Sequence, residues 1–359
     1  MNSPAALMNN TLEGNSAWYG GGISLEESRA TLRGNTIYSN TSTWSGGGLK
    51  LSGSPAMLSD NLILSNTSNY GDGGGAYLSA SDATLISNTI QGNASNGSDY
   101  RINQGGGGIY VGNSNATLSG NAILSNTARL GGGGVRVGIQ APTLSGNVIA
   151  GNSAFFGAGV YLSYDASTLN GNRIVGNRGD GVYLSRSAAT LVNNVIADNQ
   201  SSENGYGVVV RGGSSRLIHN TIARNGSGNS VGVQVSHYQL WPTADYATSA
   251  LINTIIVSHN VGISVTTGNT ITVNGVLWFG APITISQATT ATVMVQNPYE
   301  GDPVFAADGY HLMPGSAAID RGVEAGVTTD IDGSARPYGP APDLGAVEYV
   351  PPTGSRQPR

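Results

Sequence analysis

The chain has 359 residues, of which 54 are glycine, none is cysteine and only 10% are charged. Its 16 Lys and Arg against 21 Asp and Glu leave a formal charge of −5 without a basic cluster, which argues against nucleic acid as a partner. The missing cysteines exclude a disulfide framework and a thiolate metal site. No apolar run reaches the roughly 18 residues that a membrane span needs.

Met1 to Leu7 carry no basic stretch followed by a long apolar core, so they do not form a signal peptide. Repeats begin almost at once, as expected of a trimmed chain or a fragment. The phrase Asn-x-(Ile/Leu)-x-x-Asn starts at Asn10, Asn35, Asn61, Asn88, Asn121, Asn147, Asn172, Asn194 and Asn220, in steps of 22 to 33 residues. A looser copy starts at Asn253 and a weaker echo at Asn274. Each period also holds a glycine run followed by apolar-x-apolar, as in Gly48-Leu49-Lys50-Leu51 and Gly108-Ile109-Tyr110-Val111. The third phrase is Ala-Thr-Leu, as at Ala83-Thr84-Leu85 and Ala116-Thr117-Leu118.

All three phrases alternate with period two, and none continues long enough at a 3.6 period for a helix. Three short strands repeated in order make a coil with three faces, and like strands stack in parallel about 4.8 Å apart. Inward Ile, Leu and Val then form aliphatic columns. The asparagines fall at turns, where they tolerate left-handed φ and can bond to the next coil. Gly105 to Gly108 and Gly131 to Gly134 are turn glycines rather than phosphate loops, since no Lys-Ser/Thr follows and no helix opens. The expected architecture is an all-β parallel β-helix, a solenoid of about ten three-strand coils over residues 1–296. A C-terminal segment, 297–349, packs on its outside, and a Pro-rich tail, 350–359, follows.

This pattern resembles the bacterial right-handed parallel β-helix repeat proteins of the pectate-lyase-like superfamily over residues of about 8 to 290. The run Tyr310-His311-Leu312, Pro314-Gly315-Ser316, Asp330-Ile331-Asp332-Gly333, Arg336-Pro337 and Pro342-Asp343-Leu344-Gly345-Ala346 resembles the terminal segment of many secreted members, including surface-anchored ones. The resemblance implies an extracellular or cell-surface location. It leaves the reaction open, because the superfamily mixes lyases, hydrolases, epimerases and proteins without known activity.

Alternation also predicts which side chains face outward. On the glycine-led strand these are Ser24, Lys50, Tyr77, Tyr110, Arg136, Tyr161, Tyr183, Val209 and Gln234 in successive coils. The preceding turns add Trp18, Tyr19, Trp44, Tyr70, Phe155, Phe156 and Tyr206. Stacked tyrosines can stabilise each other across coils, or they can form a track for an extended sugar polymer. Two coils are longer than the rest, at Ala94 to Gln104 before this strand and at Tyr238 to Thr248 after it. They carry Asp99, Tyr100 and Arg101 on one side and Trp241, Asp245 and Tyr246 on the other, and long loops in compact folds are often functional. The predicted substrate-binding residues are therefore Tyr77, Tyr110, Arg136, Tyr161, Tyr183, Tyr100, Arg101 and Trp241. A threonine column (Thr31, Thr84, Thr117, Thr143, Thr168 and Thr190) keeps ice binding as a distant third reading. An outward apolar stripe (Leu62, Leu64, Leu124, Val148, Val175 and Val195) calls for a cover, either the C-terminal segment or a second copy of an otherwise monomeric protein.

The resemblance implies that lyase chemistry would use an Arg, Lys or His base, often with Ca²⁺. The candidates for catalysis are Arg211 and His237, with Asp180 and Arg186 behind them, among late cations that include Arg173, His219 and Arg224. No HExxH or other metal pattern exists. Asp330-Ile331-Asp332-Gly333 lacks the third oxygen ligand and closing Glu of a calcium loop, so it reads as a structural turn; no motif calls for a cofactor, and Ca²⁺ stays open. The leading expectation is a polysaccharide-binding protein, with lyase activity as an extension; the alternative is a non-catalytic structural or adhesive surface protein.

Overall fold

The computed structural model describes residues 5–97, 104–200, 205–226, 228–239 and 241–351. Strands, turns and bends make up the described residues, with no helix. The glycine-led strands, from Ile23–Glu26 to Ile283–Gln287, form an 11-stranded parallel sheet, so the solenoid has one coil more than the repeats suggest. The Ala-Thr-Leu strands and the Asn-x-Ile strands form two further parallel ladders, beginning at Ala6–Met8 and Thr11–Glu13. These two ladders fuse at the C-terminal end, where Thr248–Val257, Thr270–Phe279 and Thr292–Glu300 each run through both. A fourth ladder of five short strands, from Ser16–Tyr19 to Thr127–Ala128, straightens the turn after the second asparagine in the early coils.

Like stacks on like. Ile63 pairs with Ile37 and Ile90, and Leu118 with Leu85 and Leu144, and all are fully buried. Each such side chain contributes roughly 1.5–3 kcal/mol of burial. Gly108 shows why glycine precedes the strand: a Cβ there would lie 2.6 Å from the Gly134 carbonyl oxygen of the next coil.

The asparagines form two buried columns in which every amide is used. Asn35 Nδ2 donates to Asn61 Oδ1 and to the Leu7 carbonyl, both at 2.9 Å, and Asn61 Oδ1 also accepts from the Asn35 backbone nitrogen. A buried amide tolerates this position only when all its partners are present. The looser copy at Asn253 is a correction. The β-ladder pairs Ile252 with Ile218, which places Thr254 rather than Asn253 level with Asn220. Asn253 instead bonds to the backbone of Val323 and anchors the C-terminal segment.

That segment packs on the outside of the asparagine ladder. Leu312, Ala318, Leu344 and Ala346 bury Val195, Ala223, Ile255 and Leu277 beneath them. The cover reaches back to the coil of Arg173, which meets Asp332 at 3.4 Å, so Leu62 and Val148 of the same stripe stay exposed. The terminal motif is a polar clamp. Arg336 and Glu348 pair at 3.2 Å with both side chains fully buried. Asp330 accepts from the backbone nitrogens of Asp332, Ser334 and Glu348, which makes Asp330 to Gly333 a carboxylate-closed turn.

Candidate functional site: the glycine-led face and its edges

The outward column of the glycine-led face is in register from coil to coil, Lys50 with Tyr77, Tyr110, Arg136, Tyr161 and Tyr183. The rings are turned on to one another. Tyr77 and Tyr110 stack at 5.1 Å with planes 6° apart, and Tyr161 and Tyr183 stack at 5.2 Å and 9°. The Arg136 guanidinium lies between the two pairs, 4.6 Å from the Tyr161 ring and 6.0 Å from that of Tyr110. Arg136, Tyr161 and Tyr183, expected to face solvent, are only 4%, 5% and 7% exposed. Small residues explain this. The next outward position is Gly112, Gly138, Ser163 or Ser185, so a ring can lean along the strand, and a Cβ on Gly112 would meet the Tyr110 ring at 2.6 Å. Phe156 and Tyr206 pack over the later rings. Burial, helped by the carboxylate of Asp72, pushes the Tyr110 hydroxyl up to about 12. The ring faces therefore serve the stack and are not open to a flat ligand.

The exposed aromatics are on the turns that lead into these strands. Trp18 is 69% exposed, Tyr70 62% and Phe155 73%, and Trp44 meets Tyr70 at 6.0 Å. Lys50 sits 4.8 Å from the Tyr19 ring and pairs with Glu26 at 3.0 Å. Tyr100 and Arg101, together with Asp99, lie outside the described residues. Two carboxyls belong to this edge, Asp72 half-buried and Asp180 buried. Burial raises Asp72 to about 6, against a bond from the Gly105 nitrogen, and raises Asp180 to about 7, against bonds from Gly157 and Tyr206.

At the far end of the strands, Tyr238–Gln239 and Ala244–Asp245 pair as an antiparallel hairpin. Arg186 pins it, with Nε 2.8 Å from Asp245 and Nη1 3.0 Å from the Tyr164 hydroxyl. The Tyr238 ring has Arg186 at 5.7 Å and Arg211 at 5.4 Å, and Arg211 donates to the Tyr183 hydroxyl at 3.3 Å. His237 packs 5.7 Å from Tyr246, and its Nδ1 is buried without a hydrogen-bond partner. Trp241, at the turn of the hairpin, is 93% exposed. Arg186 and Tyr164 also line an open concavity of about 540 Å³, with Gln140, Asp165, Ser187 and Ser214 among others.

Of the four catalytic candidates, Arg186, Arg211 and His237 share this end of the face. Asp180 does not. It precedes the strand Val182–Ser187 at whose far end Arg186 stands, about 20 Å away at 3.3 Å per residue. Bonds to Tyr164 and Asp245 raise the pKa of Arg186, and the bond to Tyr183 raises that of Arg211, so neither guanidinium is a ready base. Among the other late cations, Arg224 pairs with Asp198 at 2.8 Å and His219 sits under the C-terminal segment between Asn253 and Arg336. The arrangement offers exposed rings, charged rims and hydroxyls, which suits binding more than proton abstraction. The missed features, the small outward column and the serine bonds from Ser54 N to Ser81 Oγ and from Ser81 N to Ser114 Oγ, were visible as Gly and Ser at fixed offsets.

A family model described as "Periplasmic copper-binding protein (NosD)" matches residues 93–269, and one described as "Right handed beta helix region" matches residues 2–130. No curated protein matches the chain. Among the described residues of 93–269 the donors do not fit a copper ion. That stretch has no cysteine or methionine, and its histidines are His219, His237 and His259. His219 has the Arg336 guanidinium 2.8 Å from Nδ1 and Asn253 at Nε2, while His259 Nε2 faces Asn225. Among the described residues no group of three or more His, Cys, Asp or Glu is placed to hold a metal. With 11 coils in parallel register and both matches lying on the repeats, the chain belongs to the right-handed parallel β-helix repeat proteins.

Proposed function

We propose that this protein binds an extended polysaccharide outside the cytoplasm, along the aromatic edge of the glycine-led face, and does not cleave it. The observation that carries this reading is the row of exposed rings of Trp18, Trp44 and Tyr70 on consecutive coils. A coil rise of about 4.8 Å presents one ring per coil, a spacing on the scale of a sugar unit, so the polymer would run along the solenoid axis. Aromatic faces with polar rims suit ligands that have apolar ring faces and hydroxyl edges. The periplasmic description of the family matching 93–269 supports the location. The engagement of Arg186 and Arg211, and the distance of Asp180 from both, weigh against turnover.

Retention on an array of neutral and acidic polysaccharides tests this. The double variant Trp44→Ala/Tyr70→Ala should lose retention while its melting temperature stays within a few degrees of the parent. Equal retention by the variant would sink the track. Retention of the parent on no polysaccharide would favour a structural or adhesive role instead.

A further inference from the structure

Two groups of exposed rings stand at opposite ends of the glycine-led strands. One is the edge of Trp18, Trp44 and Tyr70 in the first coils. The other surrounds the hairpin, where Trp241, Tyr246 and Tyr164 are exposed. The second group is built rather than loose. The 2.8 Å bond between Arg186 and Asp245 ties the hairpin to the solenoid, and Arg186 also stacks on Tyr164 at 4.7 Å. A platform held in advance loses less freedom on binding. Its surroundings repeat the chemistry of the first group: rings for an apolar ring face, with Gln140 and Arg186, which line the open concavity, and Asp245, paired with Arg186, for hydroxyls.

Between the two groups the Tyr110 ring leans over Gly112 towards Gly138, and Phe156 and Tyr206 pack against Tyr161 and Tyr183. Tyr70 precedes the third glycine-led strand and Arg186 ends the seventh. Four coil rises of about 4.8 Å and about 20 Å of strand length place the groups on the order of 30 Å apart.

We infer that a single glycan chain crosses this face diagonally and engages both groups at once, so that the protein selects long polymers over short oligosaccharides. This rests on the polysaccharide-binding reading above. The second contact is then intramolecular, and its gain depends on whether the chain can span the gap.

The test uses oligosaccharides cut from each polysaccharide that the array retains, size-fractionated and titrated calorimetrically into the full chain. Affinity should rise by at least about tenfold as ligand length passes about 30 Å. Trp241→Ala should abolish that step; Trp241 is so exposed that its truncation opens no cavity. Binding without a length step, or a step that persists in Trp241→Ala, overturns the two-ended contact and leaves the first track standing. If the array retains nothing, the binding reading itself fails, and this inference with it.

Discussion

The imidazole Nε2 of His259 lies 3.2 Å from the backbone nitrogen of Asn225 and accepts the bond that an asparagine oxygen accepts in the coils before it. The asparagine column thus ends on a histidine, and only a neutral imidazole can fill that place. Burial, with Arg224 nearby, lowers the pKa of His259 to about 4, and its Nδ1 is left buried without a partner.

Between pH 6.5 and about 4 the unfolded chain therefore takes up a proton at His259 that the native state refuses, and stability falls as pH drops through that window. His219, lowered to about 3, acts in the same direction. His259→Asn restores the amide and should make the loss of stability from pH 7 to pH 4.5 smaller than in the parent. Denaturant midpoints at the two pH values check this, and an unchanged difference would refute it.

Asp180 runs the opposite way. Its carboxyl is raised to about 7, so the native state keeps a proton that the unfolded chain has released above about pH 4. The stability cost of ionising it grows as pH rises from about 4 to 7 and is complete above that. Asp180→Asn should raise the melting temperature by a few degrees at pH 8 and change it little at pH 4. A gain that is equal at both pH values would contradict the assignment.

Asn126 occupies the middle of its column. Truncation to alanine leaves the Asn93 backbone nitrogen without its acceptor and removes one bond each from Asn93 Nδ2, the Ile90 carbonyl and the Asn152 oxygen. With each buried group left unsatisfied costing about 1–3 kcal/mol, Asn126→Ala should destabilise by about 3 kcal/mol or more in chemical denaturation. A change below about 0.5 kcal/mol would mean that the amide ladder is incidental.

Tyr161 and Trp44 should separate stability from binding. Tyr161 is buried between Arg136 and Tyr183, so Tyr161→Ala should cost about 3–5 kcal/mol by opening the stack. Trp44→Ala, on an exposed turn, should leave the melting temperature nearly unchanged and weaken glycan retention. The reverse pattern would return the binding role to the tyrosine column.

Arg336→Met leaves Glu348 buried without its partner and should cost about 3–5 kcal/mol. The loss should be local. Hydrogen exchange should quicken across 310–349 and over Val195 and Ile255 beneath, and stay slow in the first coils. Uniformly faster exchange would mean that the segment and the solenoid unfold together.

Much of the fold was legible because a stacked coil makes every apolar column repeat its own residue type. Nine asparagine phrases in step, with Ile and Leu at fixed offsets, allow one stacking only. The copy at Asn253 misled for a local reason: Asn-Thr-Ile matches the phrase, but the register follows the inward Ile222 and Ile256, and a one-residue slip would turn that column outward.

The site was less legible. Alternation correctly put Tyr110, Arg136 and Tyr161 on the outer surface, since the side of a strand follows from sequence position alone. Whether an outward ring meets solvent or its neighbour depends on the room left by residues two positions along and one coil away. Gly112, Gly138 and Ser163 leave that room, and the rings close on each other. Sequence by itself determined the coil, its columns and its faces, because those follow from short-range period. Only the tertiary structure decided that the tyrosines spend their faces on one another, that the exposed rings stand at the two edges, and that the cover stops near Arg173. These outcomes depend on contacts between residues far apart in the chain, which no local period encodes.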